Sequence, residues 1–513
     1  MPTRWQTFPV EFKGGLISNL SPLQQGLNAV GSAVQLQNFE PSKFGGYKKV
    51  LGYSKYISGA VAGSGPILGV KVANEDKVIA IRKNGSDLSE YYINVGTSWS
   101  SLGAATALGG KVRGESFNFN GTHKIIFVDG ANKPAVFEDT TDSLSFLTVP
   151  SNVEGGSQVV IYKNHVFIAK GPELAFSAPF DETDWTIANG AGTVNVGHGV
   201  TGLIVFRDQL IIFSRNKIQR LVGSSVADFQ LLPITTDIGC LYPDTIQEVG
   251  GDIMFLAPDG LRLLGATERI GDFGLEIASS PINKEALRFI STSQNFSSLV
   301  LREKAQYRIF SYIESTNASN SEGLLTTKFS DQGAVNMAWG TLKGFKVYCS
   351  DGRYVPNSEI TVFANNDGYV YKIETQSSFD GEPIEAIYQS PFMPMTDPQK
   401  RKTLYKMALY TDTTGTFSVD VNILFDIYAI SNYNSNVRPP TIRLESTSAG
   451  VSIYGAATTL YGTALYGAEL DKVYDTPLIG SGKTFSLRLE DNSTNPSFSL
   501  DTAIFEFMEQ DRQ

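Results

Sequence analysis

Apolar and polar residues along the chain fall into a repeated pattern between Pro66 and Thr341: an apolar strand, a short polar turn, a second apolar strand, then a less regular outer pair. Five copies of the inner hairpin read "ILGVKVANEDKVIAIRKNG" from Ile67, "FNFNGTHKIIFVDG" from Phe117, "VVIYKNHVFIAKG" from Val159, "LIVFRDQLIIFSRN" from Leu203 and "TIQEVGGDIMFLAPDG" from Thr245. Their turns centre near Asp76, Thr122, Asn164, Asp208 and Gly251. That spacing matches the roughly 40 to 50 residues of a four-stranded propeller blade. A degenerate sixth copy follows in "SSLVLREKAQYRIFSYI" from Ser297, and a seventh hairpin in "ITVFANNDGYVYKIET" from Ile360. The expectation is an all-β fold built on a β-propeller of about six blades, within a range of five to seven. A hairpin of this kind cannot bury its apolar face alone, so closing the ring is what removes exposed edges.

The pattern changes at both ends. From about Ala386, "QKRKTLYKMALYTDTTGTFSVDVNILFD", across a turn at Thr413 to Gly415, and "KTFSLRLEDNSTNPSFSLDTAIFEFME" alternate apolar and polar residues and predict facing strands of a small β-sandwich. Between them Tyr454, Tyr461, Tyr466 and Tyr474 each precede Gly or Asp, which suits an extended loop laying rings on a neighbour or a plain surface loop. At the other end, "NFEPSKFGGYKKVLGY" from Asn38 reads as neither a helix nor an ordinary strand pair. The predicted organisation is an entry segment over 1–60, a propeller over 61–385 and a sandwich-like docking region over 386–513.

Composition supports strands over helices: of 513 residues 42% are apolar and only 18% charged, with 49 glycines, 31 phenylalanines and 22 tyrosines. The formal net charge of -10 argues against a sequence-reading nucleic-acid binder, which needs Lys and Arg against phosphates. It is compatible with DNA sliding past, because a surface without a cationic track does not grip. Two cysteines, Cys240 and Cys349, cannot frame a protein of this length with disulfides and read as free core thiols. The first residues lack the apolar stretch of a signal peptide and no apolar run reaches a membrane span, so synthesis in a cytoplasm is expected.

Candidate chemistry is sparse. His123, His165 and His198 fall in different copies of the repeat, which disfavours a zinc site or a Ser-His-Asp triad. Phosphate-loop, zincin and nucleophile-elbow motifs are missing. "DETDW", Asp181 to Trp185, is the best glycosidase-like fragment, although acids this close more often solvate a turn. Asp-Gly pairs at Asp129, Asp259, Asp351 and Asp367 read as hairpin turns and not as calcium loops. The densest basic stretch, Asp397 to Lys406, is a solvated strand entry or a contact to an acidic partner or passing DNA. No catalytic, cofactor-binding or metal-ligating residue is expected.

The stretch from Phe12 to Tyr53, with its Gly-Gly entry, Ser-Pro turn, Asn-aromatic segment and "GGYKK" run ending in Gly-Tyr, resembles the amino-terminal segment of the tail nozzle (tail hub, tail stabilisation) proteins of short-tailed bacteriophages. "ELAFSAPFDETDW" from Glu173 and "IGCLYPDTIQEVGGDIMFLAPDGLRLL" from Ile238 resemble two blade segments of the same family. The resemblance implies a structural, non-enzymatic virion protein. It would form a homohexameric ring continuing the DNA-ejection channel below the portal and adaptor, and would carry the needle or plug and the fibres or tailspikes. Double-stranded DNA would transit without sequence-specific contact. Candidate subunit or partner contacts are then Phe44, Gly45, Gly46, Tyr47 and Tyr53, the basic Lys400, Arg401 and Lys402, and Tyr454, Tyr461 and Tyr466; Gly45 and Gly46 would permit a close turn while Phe44, Tyr47 and Tyr53 anchor the entry segment on the propeller or on an adjacent subunit. Two other readings remain open: a carbohydrate-active or receptor-binding propeller acting on the host envelope, and a cellular interaction scaffold.

Overall fold

In a computed structural model the described residues are 5–510, apart from 44, 75, 266–276, 332–333, 356–357, 414, 427–440 and 447–472. The fold is all-β with two short α-helices, Pro22–Asn28 and Asn283–Thr292, among the described residues. Seven antiparallel meanders follow one another among these residues: sheet 1 (64–107), sheet 2 (113–146), sheet 3 (158–195), sheet 4 (200–235), sheet 5 (247–263), sheet 6 (296–343) and sheet 7 (349–373). Every hairpin picked out by periodicity is the start of one of them, except that the copy from Ile360 is the second and third strands of sheet 7.

The second strand of each sheet is buried on both faces, and this is what joins the sheets. In Thr122–Val128, Ile125 and Phe127 pack into a core shared with sheet 1, while Ile126 and Val128 pack into a core shared with sheet 3. A strand's side chains alternate, so an unbroken apolar run serves two neighbours at once. The same device gives shared cores between sheets 3 and 4, 4 and 5, 5 and 6, and 6 and 7. A seventh core, with Ile67, Val70, Val72 and Val78 against Val355, Ile360 and Val362, joins sheet 7 back to sheet 1. Seven sheets with seven shared cores make a cycle.

A belt of side-chain links runs through the turns at one end of that cycle. Lys77 reaches Asp142 (2.6 Å), Lys124 reaches Glu182 (2.6 Å), Lys163 reaches Asp208 (2.6 Å) and Arg207 donates to the Gly251 carbonyl (2.9 Å). Lys328 of sheet 6 bonds Asp252 of sheet 5 (3.2 Å), Arg302 bonds Glu359 (2.9 Å), and Arg353 of sheet 7 donates to the Ala73 carbonyl beside sheet 1.

The seven sheets stand at the upper end of the expected range of five to seven repeats. The last is hard to see locally because its outer strand, Tyr53–Lys55, comes from the entry segment and pairs with Val370–Ile373. The entry segment also contradicts its own reading as no ordinary strand pair: Phe39–Pro41 and Tyr47–Lys49 form a short antiparallel hairpin. "SDG" at Asp351 is likewise not a turn, since Cys349–Val355 runs through it as a strand.

Sheet 6 does not end at its fourth strand. Gln35–Gln37 pairs in parallel with Ala334–Lys343 and antiparallel with Ile384–Gln389, carrying the sheet on through Phe485–Ser493, Ser418–Phe425 and Ile442–Glu445 to nine strands. A further seven-stranded sheet, centred on Arg401–Thr413 and Phe498–Gln510, shares one core with this extension. Phe485 meets Phe505 at 5.0 Å and Phe417 meets Phe498 at 4.8 Å across it. The entry segment thus supplies strands to three different sheets.

Asn38 is the joint. Its backbone is left-handed (φ 52), a conformation Asn tolerates better than most residues. Its Nδ2 donates to the carbonyls of Lys343 and Glu385 (both 2.9 Å), while its Oδ1 accepts from the Lys343 amide (2.9 Å). Beside it Lys49, wholly buried, is paired with Asp491 (2.5 Å) and donates to the Ser493 carbonyl. Replacing Asn38 by Ala strands a buried amide and carbonyls, so destabilisation of about 2–4 kcal/mol is expected. The denaturant midpoint checks this; an unchanged midpoint would show that the joint is dispensable.

Candidate functional site

The first strand of each sheet faces the centre of the cycle, and the centre is polar. Arg113 opens the first strand of sheet 2 and forms a two-pronged pair with Asp244, in the short 3₁₀ turn before sheet 5: Nε to Oδ1 is 2.7 Å and Nη2 to Oδ2 is 3.0 Å. Lys111 adds a second cation at 3.2 Å and donates to Ser297 Oγ (3.2 Å) of sheet 6. Ser298 Oγ donates to the Asp244 carbonyl (2.8 Å), Ser350 Oγ to the Ser298 carbonyl (2.9 Å), and Arg113 Nη1 to the Ser157 carbonyl (3.4 Å). One knot therefore ties sheets 2, 3, 5, 6 and 7 across the centre. Burial alone would raise the Asp244 carboxyl, but Arg113 and then Lys111 outweigh it and hold it at about 2.

A second group lies on sheets 7, 1 and 2. Lys71 bonds Asp351 (2.9 Å), whose other oxygen accepts from the Val72 amide (2.8 Å). Burial pulls the Lys71 ammonium down, yet Asp351 and Glu115 more than restore it and leave it raised. Burial raises the Glu115 carboxyl against the pull of Lys71. The arrangement alternates charges and satisfies them in pairs, which makes it cohesive; it aligns no nucleophile with a base. Among the described residues no group of three or more metal-ligating side chains converges.

His123 stands at the junction of the same three sheets, 3.6 Å from Asp139, with neither ring nitrogen within hydrogen-bonding distance of a protein partner. Asp139 also takes Asn74 and Lys77. Burial lowers the His123 pKa, Arg353 lowers it further, and Asp139 opposes them. His165 instead packs in sheet 3 with Nδ1 2.6 Å from the Ser177 carbonyl.

The residues expected to meet partners are distributed differently from that expectation. Tyr47 turns wholly inward: its hydroxyl donates to the Gly31 carbonyl (2.9 Å) and accepts from the Gly15 amide (3.0 Å). Tyr53 is buried among Phe345, Phe363, Tyr371 and Phe379 and donates to the Gly344 carbonyl. Their anchoring is therefore internal, on the molecule itself and not on an adjacent subunit, the first of the two anchorages expected of them. Gly45 is exposed with open space about its Cα, and Gly46 (φ 75) lies where a Cβ would stand 2.7 Å from the Leu500 carbonyl. Lys402 is buried, donating to the carbonyls of Asp397 and Lys483, and so is not a surface contact. Lys400 pairs with Glu509 (3.1 Å), Lys406 with Asp475 (2.8 Å), and Arg401 donates to the Ser481 carbonyl (3.0 Å) with Asp426 4.0 Å away, so carboxylates of the same molecule face much of the basic stretch. Phe44, Tyr454, Tyr461 and Tyr466 lie outside the described residues, whereas Tyr474 is buried against Phe417 (4.7 Å).

The carboxylates of "DETDW" are occupied. Glu182 pairs with Lys124, Asp181 accepts from the Thr183 amide and hydroxyl, and Asp184 accepts from the Thr186 amide and Asn189. Cys240 and Cys349 are free and buried, and burial pushes both thiols up to about 12. Sequence reasoning missed Lys111, Arg113 and Asp244. The only signal for the two cations was "KVRGE", charges at the start of a strand that otherwise resembles its apolar siblings, while Asp244 sits in "YPDT", which reads as an ordinary turn.

No protein-family model and no curated protein matches this sequence. Among solved structures, the extracellular domain of a hybrid two-component system from B. thetaiotaomicron aligns with a TM-score of 0.38 at 11% identity, over 64% of this chain and 41% of that one. The extracellular domain of a one-component system from the same organism aligns with a TM-score of 0.40 at 9% identity, over 72% and 44%. The alignment thus spans less than half the length of either. At these scores the likeness fixes neither fold family nor function.

Two expectations follow for the centre. Asp244→Asn leaves Arg113 and Lys111 facing each other without their anion; with the pair partly open to solvent, a loss of about 2 kcal/mol is expected in chemical denaturation. Because His123 is held below its ordinary value of about 6.5, the unfolded state binds that proton first. Its contribution to stability is therefore complete above that pH and lost as pH falls toward the folded value, at about 1.4 kcal/mol per pH unit. His123→Gln should remove that part of the pH dependence of the melting temperature; an identical profile would contradict the assignment.

Proposed function

We propose that the protein is a non-enzymatic structural subunit of a bacteriophage tail, a nozzle or hub protein. In this reading its seven-sheet cycle is a β-propeller and its C-terminal pair of sheets a β-sandwich that docks neighbouring tail proteins. A homohexameric ring of such subunits would extend the DNA-ejection channel beneath the portal and adaptor, and would anchor needle, fibres or tailspikes. The virion tail would be its place, after synthesis in the host cytoplasm.

The observation that carries this reading is the Arg113–Asp244–Lys111 knot across the centre of the cycle. Propellers that act on ligands commonly leave the centre open as a pocket; here it is tied across by charge pairs, which suits a rigid wall element. DNA would then pass between copies and not through one. A net charge of -10 on every subunit makes the wall acidic, so that phosphates are repelled and not gripped. The resemblance of the entry segment and of two blade segments to the nozzle family points the same way, and the entry segment also links the seven sheets to the C-terminal strands, through Gln35–Gln37 between Ala334–Lys343 and Ile384–Gln389 and through Tyr47–Lys49 beside Phe498–Gln510.

Light scattering and electron microscopy of the purified protein test the proposal. A ring of six, or a monomer that forms such a ring on the adaptor, is expected; a stable monomer that cleaves host glycans would overturn it. Gly46→Val forces a branched side chain into a left-handed backbone against the Leu500 carbonyl, so the entry hairpin should shift and ring formation should fail. A normal oligomer from that variant would show that the hairpin's geometry does not govern assembly.

A further inference from the structure

Three Asn-Gly pairs occur in the sequence, at Asn84, Asn120 and Asn189. Such pairs are prone to an internal reaction because glycine, lacking Cβ, leaves its backbone nitrogen open to approach. That nitrogen attacks the Asn carboxamide carbon, the bond from that carbon to Nδ2 breaks, and ammonia leaves with the amide proton. Water then opens the resulting succinimide to aspartate or isoaspartate. No oxidant or reductant is involved, and solvent water is the only co-reactant. The carboxamide must be free to rotate towards the next nitrogen, so its hydrogen bonds in the folded protein decide which pair reacts.

Two of the three are held. Asn84 accepts from the amides of Ser86 (2.9 Å) and Leu88 (3.1 Å) through Oδ1 and donates to Glu90 (2.9 Å) through Nδ2, so rotation breaks three bonds. Asn189 donates to Asp184 (2.5 Å), and the nitrogen that would attack, that of Gly190, is engaged with the Ile187 carbonyl (3.1 Å). Asn120 differs. It is exposed at the tip of the two-residue turn of sheet 2, its side chain has one long bond to the Phe180 carbonyl (3.4 Å), and Gly121 has open space around its Cα.

We infer that Asn120 is a site of spontaneous deamidation in the folded protein, while Asn84 and Asn189 are protected by their bonds. The product places a negative charge, and in the iso form an extra backbone methylene, at the seam between sheets 2 and 3. The Asn120 side chain there touches the Phe180 carbonyl, two residues before the Glu182 that pairs with Lys124. A carboxylate facing that carbonyl replaces an attraction with a repulsion, so the modification marks the age of the molecule at a joint of the cycle.

Peptide mapping by mass spectrometry, on protein held folded at mildly alkaline pH and in parallel in concentrated urea, tests this. In the folded sample Asn120 should convert at least about tenfold faster than Asn84 or Asn189, the ratio expected from restraints of one or two hydrogen bonds. In urea the three should converge. Conversion of Asn84 or Asn189 at an equal or greater rate in the folded protein would overturn the inference, as would an unmodified Asn120 in folded protein whose urea control reacts. Asn84→Ser and Asn120→Ser variants assign the signals without relying on peptide separation alone.

Discussion

Burial of one strand on both faces is the constraint from which the rest of this molecule follows. A strand such as Thr122–Val128 has no solvent side, so its sheet is stable only between two others, and that requirement repeats until the last sheet meets the first. A linear stack would leave two such strands half exposed. The protein avoids this by returning its seventh sheet to the first through the core of Ile67, Val70, Ile360, Val362 and their partners, and by lending that sheet an outer strand from residues 53–55.

Electrostatics then stiffens what apolar burial has closed. The belt of links at the turn end and the knot at the centre are arranged so that most cations reach a neighbouring sheet and not their own. Many of these pairs are partly exposed and individually contribute little. Their value lies in fixing the angle between sheets, while the buried Arg308 and half-buried Lys304, with Glu40 and Glu374, tie the entry hairpin to sheets 6 and 7. Removing one partner of such a buried set costs far more than the set contributes, because the remaining charge has no water to turn to.

The sequence reveals the repeated hairpins because alternation and turn residues are local: "FNGTH", "YKNHV" and "FRDQL" each fall on a tight turn. What it hides is non-local. Nothing within residues 349–373 indicates that Tyr53–Lys55 completes their sheet, and nothing near Gln35–Gln37 indicates that those three residues bridge two sheets that would otherwise end. The aromatics of the entry segment were legible as anchors, but their target was not, since Tyr47 and Tyr53 look the same in sequence whether they face another subunit or their own core. Likewise Lys402 lies in a run of basic residues, and only the position of the Asp397 and Lys483 carbonyls draws it inward.

The closure of the cycle by the entry strand can be tested directly with a cysteine pair at Ser54 and Lys372, which stand opposite each other in the antiparallel register. Facing positions of that kind lie about 4.5–5.5 Å apart between Cα atoms, within the range a disulfide spans. The account predicts that Ser54→Cys with Lys372→Cys oxidises readily in the folded protein and raises its resistance to unfolding. Two thiols that stay reduced under oxidant in the folded state, while each remains reactive in the unfolded state, would contradict it.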